Sequence, residues 1–291
     1  MRDVPQAVLD WLREHNYGTP AFVDLIGGGC INNGARLKTD TGKSFFLKTN
    51  LSAPVEMFAR EAEGLRELRT HPAQNQKDSL AIPEPLLHGP DYLLLEDLDP
   101  APRNPTYWPD FGRGLARLHL RTNERFGFYH DNFIGSTPQN NTWTQDGWEF
   151  FAHHRLLFQA ELAMRSGLLS REQVRRAERV AELLPELIPE QPASLLHGDL
   201  WSGNAMTDSA GGPAIIDPAA YYGWAEADLA MTDLFGAFPD TFYRAYENVR
   251  PLEPGYRRRY PLYNLYHLLN HLNLFGRGYH GQVVSILVRY T

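Results

Sequence analysis

One short motif and the strand that follows it constrain this chain more than any other feature. The motif is His-Gly-Asp-Leu-Trp-Ser-Gly-Asn at residues 197–204, and Ile-Ile-Asp-Pro follows at 215–218. Asp199 is suited to orient and deprotonate an acceptor hydroxyl. Asn204 and Asp217 are suited to hold Mg²⁺ on a nucleoside triphosphate. Because few other chemistries need this order and spacing, the pattern predicts an ATP-dependent kinase.

The composition excludes several classes of partner. The 291 residues carry a net charge of −7, which argues against nucleic acid, because phosphate backbones need a basic surface. No apolar run approaches the roughly 20 residues that a membrane span requires, and no basic, apolar leader is visible at the start. Cys30 is the single cysteine, so the chain cannot form an internal disulfide. We therefore expect a cytoplasmic protein that does not bind a membrane.

The order of predicted elements divides the chain into two lobes. A short helix comes first, and strands are predicted at 22–26, 35–38, 44–48, 86–87 and 92–95, with a helix at 55–69. Three prolines mark a linker at 99–105. The remainder is mostly helical (147–164, 171–187, 225–235, 242–249 and 256–274), interrupted by short strands at the His-Gly-Asp segment and at 214–216. We predict a nucleotide-binding antiparallel β-sheet lobe at 1–98 and a helical lobe with the catalytic loop and acceptor pocket at 99–291.

A glycine-rich loop joins the first two predicted strands. Its residues are Gly27, Gly28, Gly29, Cys30, Ile31 and Asn32. Glycines let backbone N–H groups approach phosphate oxygens, so the loop is a candidate for binding ATP. A strand follows it rather than a helix, which excludes a dinucleotide-binding reading. Taken alone, a glycine-rich hairpin that binds nothing is an equal alternative.

Lys48 ends an apolar strand and is a candidate for pairing with the α- and β-phosphates. It then needs a carboxylate on the next helix, and we choose Glu61 rather than Glu56 or Glu63. A solvated lysine at a strand end is the alternative. In a two-lobed kinase the end of the fifth strand is the hinge, whose backbone binds the adenine edge; here it comprises Glu96, Asp97 and Leu98.

For each of four further side chains, the sequence allows two roles. His197 is better explained as a packed structural residue than as a base. Asp228 either holds the catalytic loop through backbone N–H groups or caps the helix in which it lies. His267 and His271 share a helix face, as in metal sites, but no third ligand is evident, so we favour buried, hydrogen-bonded histidines.

Segments along nearly the whole chain resemble the fructosamine kinase (ketosamine 3-kinase) family. The matching stretches are Gly-Gly-Gly-Cys-Ile-Asn-Asn (27–33), Phe-Phe-Leu-Lys-Thr-Asn (45–50), His-Asp-Asn-Phe-Ile-Gly-Ser-Thr-Pro-Gln (130–139), the 197–204 motif, Glu-Ala-Asp-Leu-Ala-Met-Thr (226–232) and Tyr-His-Leu-Leu-Asn-His-Leu-Asn-Leu-Phe-Gly (266–276). The stretches at 130–139 and 266–276 separate this family from aminoglycoside and choline kinases, which share the His-Gly-Asp core.

The resemblance implies an α+β, bilobal protein-kinase-like fold of the aminoglycoside phosphotransferase type. It implies ATP- and Mg²⁺-dependent phosphorylation of the 3-hydroxyl of a ketosamine, a sugar joined to an amine by glycation. The 3-phosphate makes the adduct labile, so the amine is released and the protein is repaired. The resemblance places Asp131, Asn132 and Phe133 near the acceptor. Aromatic residues that either wall the acceptor pocket or belong to the core are Trp201, Tyr222 and Trp224.

The family is also sensitive to oxidation at the loop cysteine, through a disulfide between two chains. The resemblance therefore implies a monomer that forms a Cys30-linked dimer when oxidised; a small residue packed in a tight loop is the alternative. Two other functions stay open: a kinase for another small hydroxyl compound, such as an amino sugar or choline-like alcohol, and a redox-sensing pseudokinase. The intact set of Lys48, Asp199, Asn204 and Asp217 argues against a pseudokinase.

Overall fold

The computed structural model describes residues 4–26, 32–70 and 79–291. The N-terminal part is a five-stranded antiparallel sheet in the order β1-β2-β3-β5-β4. Its elements are α1 (Gln6–Glu14), β1 (Pro20–Ile26), β2 (Asn33–Thr39), β3 (Ser44–Thr49), α2 (Met57–Arg69), β4 (Pro85–His88) and β5 (Tyr92–Glu96). The glycine-loop residues Gly27, Gly28, Gly29, Cys30 and Ile31 lie outside the described residues, so their ATP-binding and redox roles stay predictions.

The part of the chain after β5 is mostly helical and contains short strands. Its helices are α3 (Tyr107–His119), α4 (Gly147–Phe151), a π-helix (Ala152–Leu157), α5 (Phe158–Arg165), α6 (Arg171–Leu187), α7 (Ala225–Leu234), α8 (Asp240–Glu247), α9 (Tyr256–Phe275), a 3₁₀ turn (Arg277–Tyr279) and α10 (His280–Tyr290). Its strands are β6 (Thr122–Asn123), β7 (Asn132–Ile134), β8 (Thr137–Gln139), β9 (Ala193–Leu196), β10 (Ala205–Thr207), β11 (Pro213–Ile215) and β12 (Tyr221–Gly223).

Two sequence-based boundaries need correction. The strand expected at the His-Gly-Asp segment ends at Leu196, because β9 pairs with β12 only as far as that residue and the motif itself forms the following loop. The helix expected at 147–164 is broken into three parts by the π-helix. The division of the chain between residues 98 and 99 stays a prediction.

Two short sheets position the motif. Strand β9 lies in the middle of the sheet β12-β9-β6, and β10 pairs with β11. The 197–204 loop therefore begins at the end of one sheet and returns into the other, and β11 delivers Asp217 beside it. This arrangement brings the two halves of the motif together although they are separated in sequence.

The alternation of strand β3 decides which of its side chains reach the cleft. Successive side chains of a strand point to opposite faces. Phe45 and Leu47 pack with α1 in a small core on the outer face of the sheet. Phe46 and Lys48 point the other way and line a cavity between the sheet and the helical part. Within the described residues, no helix is both long and apolar enough to cross a membrane.

Candidate active site

Lys48 connects the sheet, helix α2 and the segment after β11. Its Nζ donates to Glu61 Oε1 at 2.5 Å and also to Asp217 Oδ1. Burial opposes the charged form of this side chain, which is 5% exposed, but the two carboxylates outweigh that effect and raise the pKa of Lys48. Lys48 is therefore a charged ammonium group that contacts both lobes. Its partner on α2 is Glu61, the carboxylate that the sequence predicted.

Asp199 lies at the floor of the cleft, three residues after the end of β9. Asn204 Nδ2 donates to the main-chain oxygen of Asp199 at 2.8 Å and lies 3.4 Å from its Oδ2. Burial, together with the charges of Asp217 and Asp228, raises the pKa of Asp199 to about 7. A carboxylate with a pKa near neutrality is well matched to accepting a proton from a hydroxyl.

Asp228 binds main-chain N–H groups of the 197–204 loop, which is the first of the two roles predicted for it. Its Oδ2 accepts the main-chain N–H of His197 at 2.7 Å, and its Oδ1 accepts that of Gly198 at 2.9 Å. The N-cap position of α7 is Trp224, not Asp228. Gly198 has φ +83°, and a Cβ there would lie 2.1 Å from the oxygen of Ala219, so only glycine fits this turn.

The His197 ring is fully buried and serves the same turn. Its Nε2 donates to the oxygen of Ile216 at 2.8 Å, and Nδ1 lies 3.3 Å from the main-chain nitrogen of Asp199. Burial lowers the pKa of His197, so the ring is neutral near pH 7. His197 thus connects the loop to Ile216, which lies between β11 and Asp217, and this contact suits a structural residue better than a base.

Two oxygen atoms face the cavity beside Asp199. Asn204 is oriented by the hydrogen bonds of its amide nitrogen, which leaves Oδ1 available. Asp217 adopts the left-handed conformation, with φ +57°, and only its Oδ1 contacts Lys48. Within the described part of the chain, Asn204 Oδ1 and Asp217 Oδ2 have no hydrogen-bond partner. Amide and carboxylate oxygens of this kind suit Mg²⁺, which also takes oxygens from bound phosphates.

The cavity between the lobes has a volume of about 670 Å³. Lys48, Glu61, Asp199, Asn204 and Asp217 all line it. The hinge residues Glu96, Asp97 and Leu98 line it too, as do Asn32, Asn132, Phe133 and Trp201. The structure therefore brings most of the predicted site residues to one space.

The family model of the fructosamine kinases matches residues 7–291. The chain belongs to the fructosamine kinase family. This confirms the resemblance that the motifs indicate. A protein of Synechocystis sp. named as a probable ketoamine kinase is 44% identical over 267 residues, which cover 90% of this chain and 88% of that protein. The chloroplastic protein-ribulosamine 3-kinase of Arabidopsis thaliana is 41% identical over 292 residues, which cover 97% and 87%.

Solved structures agree with this membership. The crystal structure of a provisionally named fructosamine-3-kinase from Thermobifida fusca has a TM-score of 0.87 and 33% identity, and the match covers 99% of each chain. An aminoglycoside phosphotransferase in complex with ADP and hygromycin B has a TM-score of 0.60 at 16% identity, and the match covers 98% of this chain and 99% of that one. The second likeness concerns the fold alone, and together they confirm the predicted kinase-like fold.

Three residues expected near the acceptor do not reach the cavity in this family member. Asp131 is exposed, and its Oδ1 accepts the main-chain N–H of Asn141 at 2.7 Å. Tyr222 is 3% exposed and donates its hydroxyl to Glu67. Trp224 is 4% exposed and packs among aromatic rings, which include Phe126, Phe151 and Tyr263. Tyr222 and Trp224 therefore belong to the core, which is the second of the two roles predicted for them.

The sequence reasoning missed an aromatic wall beside Trp201. It contains Phe235 from the end of α7, and His271, Phe275 and Tyr279 from the end of α9 and the turn after it. The helical spacing of residues 271 and 275 was a signal for a shared face. It did not identify a cleft-facing surface, because α9 is rich in apolar residues around its whole circumference.

The histidine pair on α9 matches the predicted buried, hydrogen-bonded histidines only in part. His267 is buried, but its Nδ1 has no hydrogen-bond partner among the described residues, and His271 is hydrogen-bonded but only half-buried. His267 is 3% exposed, and burial lowers its pKa to about 3. His271 Nδ1 donates to the main-chain oxygen of His267 at 2.8 Å. Among the described residues no group of three or more His, Cys, Asp or Glu side chains is arranged to hold a metal ion.

Proposed function

We propose that the protein transfers the γ-phosphoryl group of ATP to the 3-hydroxyl of a ketosamine, such as a fructosamine or ribulosamine on a glycated amine or protein. The observation that carries the proposal is the convergence of Asp199, Asn204, Asp217 and Lys48 on one cavity of a fructosamine kinase family member. The relatives named ketoamine kinase and ribulosamine 3-kinase support the choice of acceptor.

Asp199 would accept the proton of the attacking hydroxyl. As the sugar oxygen forms its bond to the γ-phosphorus, the bond from that phosphorus to the bridging oxygen of ADP breaks, and the proton passes to the carboxylate. Its pKa of about 7 suits this exchange. Asn204 keeps the carboxylate in place through its contacts with Asp199.

Lys48 would pair with the α- and β-phosphates, since its ammonium points into the cavity. Glu61 keeps the lysine oriented from the side of α2. Asn204 and Asp217 present the oxygens that would hold Mg²⁺, which when bound neutralises the charge on the β- and γ-phosphates. Catalysis then depends on positioning and charge neutralisation rather than on a covalent intermediate.

The acceptor would enter beside Asp199, at the aromatic end of the cavity. Trp201 and Phe235 meet edge-to-face with their ring centroids 6.2 Å apart, and His271 lies 4.9 Å from Phe235. Aromatic faces stack on the apolar faces of sugar rings and attract cationic amines. A ketosamine carries both features, which the aromatic wall and the nearby carboxylates accommodate.

The experiment is to incubate the protein with ATP, Mg²⁺ and fructosyl-lysine or ribulosyl-lysine peptides, and to locate the new phosphate by ³¹P NMR. We expect a 3-phosphate, followed by release of the unmodified amine. The matched control acceptors are the unglycated peptides, an amino sugar and choline. Phosphorylation of the amino sugar or choline while both ketosamines remain unmodified would contradict the proposal.

A further inference from the structure

Helix α2 carries Glu61 toward the cleft and is fastened elsewhere to the helical lobe. The point of attachment is Glu67, whose side chain is 13% exposed. The hydroxyl of Tyr222 donates to Glu67 Oε1 at 2.9 Å, and the guanidinium of Arg121 donates to the same oxygen. Both donors follow β5 in the chain, so within the described residues the hydrogen-bond donors to this carboxylate of an N-terminal helix are side chains of the other lobe.

Arg121 also binds the C-terminal end of the helix. Its Nη1 donates to the main-chain oxygen of Glu67 at 2.6 Å and to Thr70 Oγ1 at 2.5 Å. The last carbonyls of a helix have no partner within it, and they form the negative end of its dipole. The main-chain oxygen of Glu67 also accepts from the N–H and the hydroxyl of Thr70, and a cation from the other lobe adds a third bond at this end of α2.

The apolar contacts of α2 also reach the helical lobe. Phe58, Ala62 and Leu65 belong to the large hydrophobic core that includes the helical lobe, whereas α1 and the outer face of the sheet form a separate core. Gly64 permits close approach, because a Cβ at that position would lie 3.3 Å from the Cβ of Ala220. The same core includes Leu93 and Leu95 of β5, so α2 packs against both the sheet and the lobe that contains the catalytic loop.

The two partners of Glu67 flank the strand that leads to Asp199. Tyr222 lies on β12 and Arg121 directly precedes β6, and these are the two strands paired with β9. The main-chain oxygen of Arg121 accepts the N–H of Leu195, on β9, at 2.8 Å. A continuous set of hydrogen bonds thus connects the strand before the catalytic loop with the helix that carries Glu61.

We propose that Glu67, Tyr222 and Arg121 form a latch that fixes α2 on the helical lobe, so that Glu61 holds Lys48 in its working position before any nucleotide binds. Glu67 is a positioning residue, which acts through Glu61. The consequence is a kinase whose lysine–glutamate pair is permanently assembled. This inference rests on the proposed function, because the roles of Lys48 and Glu61 come from it.

The first test measures amide hydrogen exchange in the full-length protein without acceptor. Removing a hydrogen bond to a charged group should speed exchange along α2 by roughly tenfold in Glu67→Gln, and by several-fold in Tyr222→Phe. The matched control is Glu172→Gln on α6, which removes one charge from an exposed ion pair and should leave α2 unchanged. Unchanged exchange along α2 in both latch variants would overturn the latch.

The second test is a double-mutant comparison of turnover. Glu67→Gln should lower kcat by roughly tenfold with little change in the KM of the ketosamine, because α2 contacts the lysine pair rather than the acceptor. In a Glu61→Ala background the same substitution should cause no further loss, since the latch acts through Glu61. Equal losses in both backgrounds would show a purely structural role and overturn the proposal. If the unaltered protein phosphorylates no ketosamine, the proposed function fails, and hydrogen exchange still decides the latch.

Discussion

Two clusters of ionisable side chains flank the catalytic loop, and they are built differently. Below the loop, Asp228 is 1% exposed and is bonded to His119 and to two main-chain N–H groups of the loop itself. Across the cleft, Lys48 joins Glu61 and Asp217, and the side chain of Asp217 is 40% exposed. The lower cluster lies within one lobe, whereas the upper cluster spans the cleft.

We therefore infer that the lower cluster stabilises the loop, whereas the upper cluster takes part in the proposed reaction. Burial opposes the ionised form of Asp228, but the hydrogen bond from His119 and the N–H of Gly198 lower its pKa. Both carboxylate oxygens of Asp228 accept hydrogen bonds from groups of the same lobe. Asp217 keeps one oxygen open to the cavity and can exchange contacts when a ligand enters. Asp199 lies between them, and its raised pKa reflects burial and the charges of both Asp217 and Asp228.

The largest effect is expected where the two clusters meet. Asp199→Ala should lower kcat by roughly 10³-fold, because it removes the proposed proton acceptor. Nucleotide binding should persist, since the lysine pair is untouched. Steady-state turnover and calorimetric titration with an ATP analogue measure the two quantities. Weakened ATP affinity with normal turnover would contradict the assignment of Asp199.

Breaking the upper cluster should affect activity rather than folding. Asp217→Asn should lower kcat by roughly 10²-fold or more, because a neutral amide holds Mg²⁺ and balances Lys48 less well. The free energy of unfolding should change by less than about 1 kcal/mol, since the side chain is partly exposed. Turnover at saturating Mg²⁺ and urea denaturation test this. A large loss of stability with normal turnover would reverse the distinction between the clusters.

Breaking the lower cluster should affect stability first. Asp228→Asn should lower the free energy of unfolding by about 3 kcal/mol, because it disturbs a buried charge with hydrogen bonds to the loop and to His119. Urea denaturation measures the change. Stability equal to that of Asp217→Asn would show that the two clusters do not differ as proposed.

The buried His267 on α9 predicts that the free energy of unfolding depends on pH. His267 has an ordinary pKa of 6.5 when unfolded, and burial, aided by the charge of His271, lowers it to about 3 in the fold. Below pH 6.5 the unfolded chain therefore binds a proton that the folded chain does not, so stability falls as pH falls, by about 1.4 kcal/mol per pH unit from this group. Urea midpoints between about pH 5 and 7 measure the slope.

The matched variants for this slope are His267→Gln and His153→Gln. His153 is exposed on the π-helix, so its replacement should leave the slope unchanged. His267→Gln should make the slope shallower by the contribution of that one group. Identical slopes in the unaltered protein and in His267→Gln would exclude a buried, neutral histidine at this position.

The smallest effect is expected at the outer end of the lower cluster. The hydroxyl of Tyr246 lies 2.8 Å from Nδ1 of His119, whose Nε2 donates to Asp228. The same hydroxyl accepts from Arg250 Nη1 at 3.1 Å, so Tyr246→Phe removes two hydrogen bonds. It should lower the free energy of unfolding by about 1–2 kcal/mol. Turnover should be unchanged, and a fall in kcat larger than twofold would mean that the lower cluster takes part in the reaction.

The sequence predicted the part of the candidate site that depends on local order. Asp199 and Asn204 lie on one loop, so their separation is limited by the few residues between them. Lys48 is predicted from its place at the end of an apolar strand, and Glu61 as one of three glutamates on the next helix; the two form the expected ion pair. By contrast, neither the aromatic wall nor the contacts of Tyr222 could be predicted, because their partners come from distant segments whose faces are similarly apolar.

By itself, the amino-acid sequence determined the reaction chemistry and the family, because a catalytic loop keeps its residue types at short, characteristic spacings. Only the tertiary structure decided that Glu67 of α2 is bonded to the helical lobe, and that Tyr222 faces Glu67 rather than an acceptor. The physical reason is that hydrogen bonds and packing between distant segments depend on how helices and sheets are placed in space. Neither periodicity nor motif spacing contains that placement.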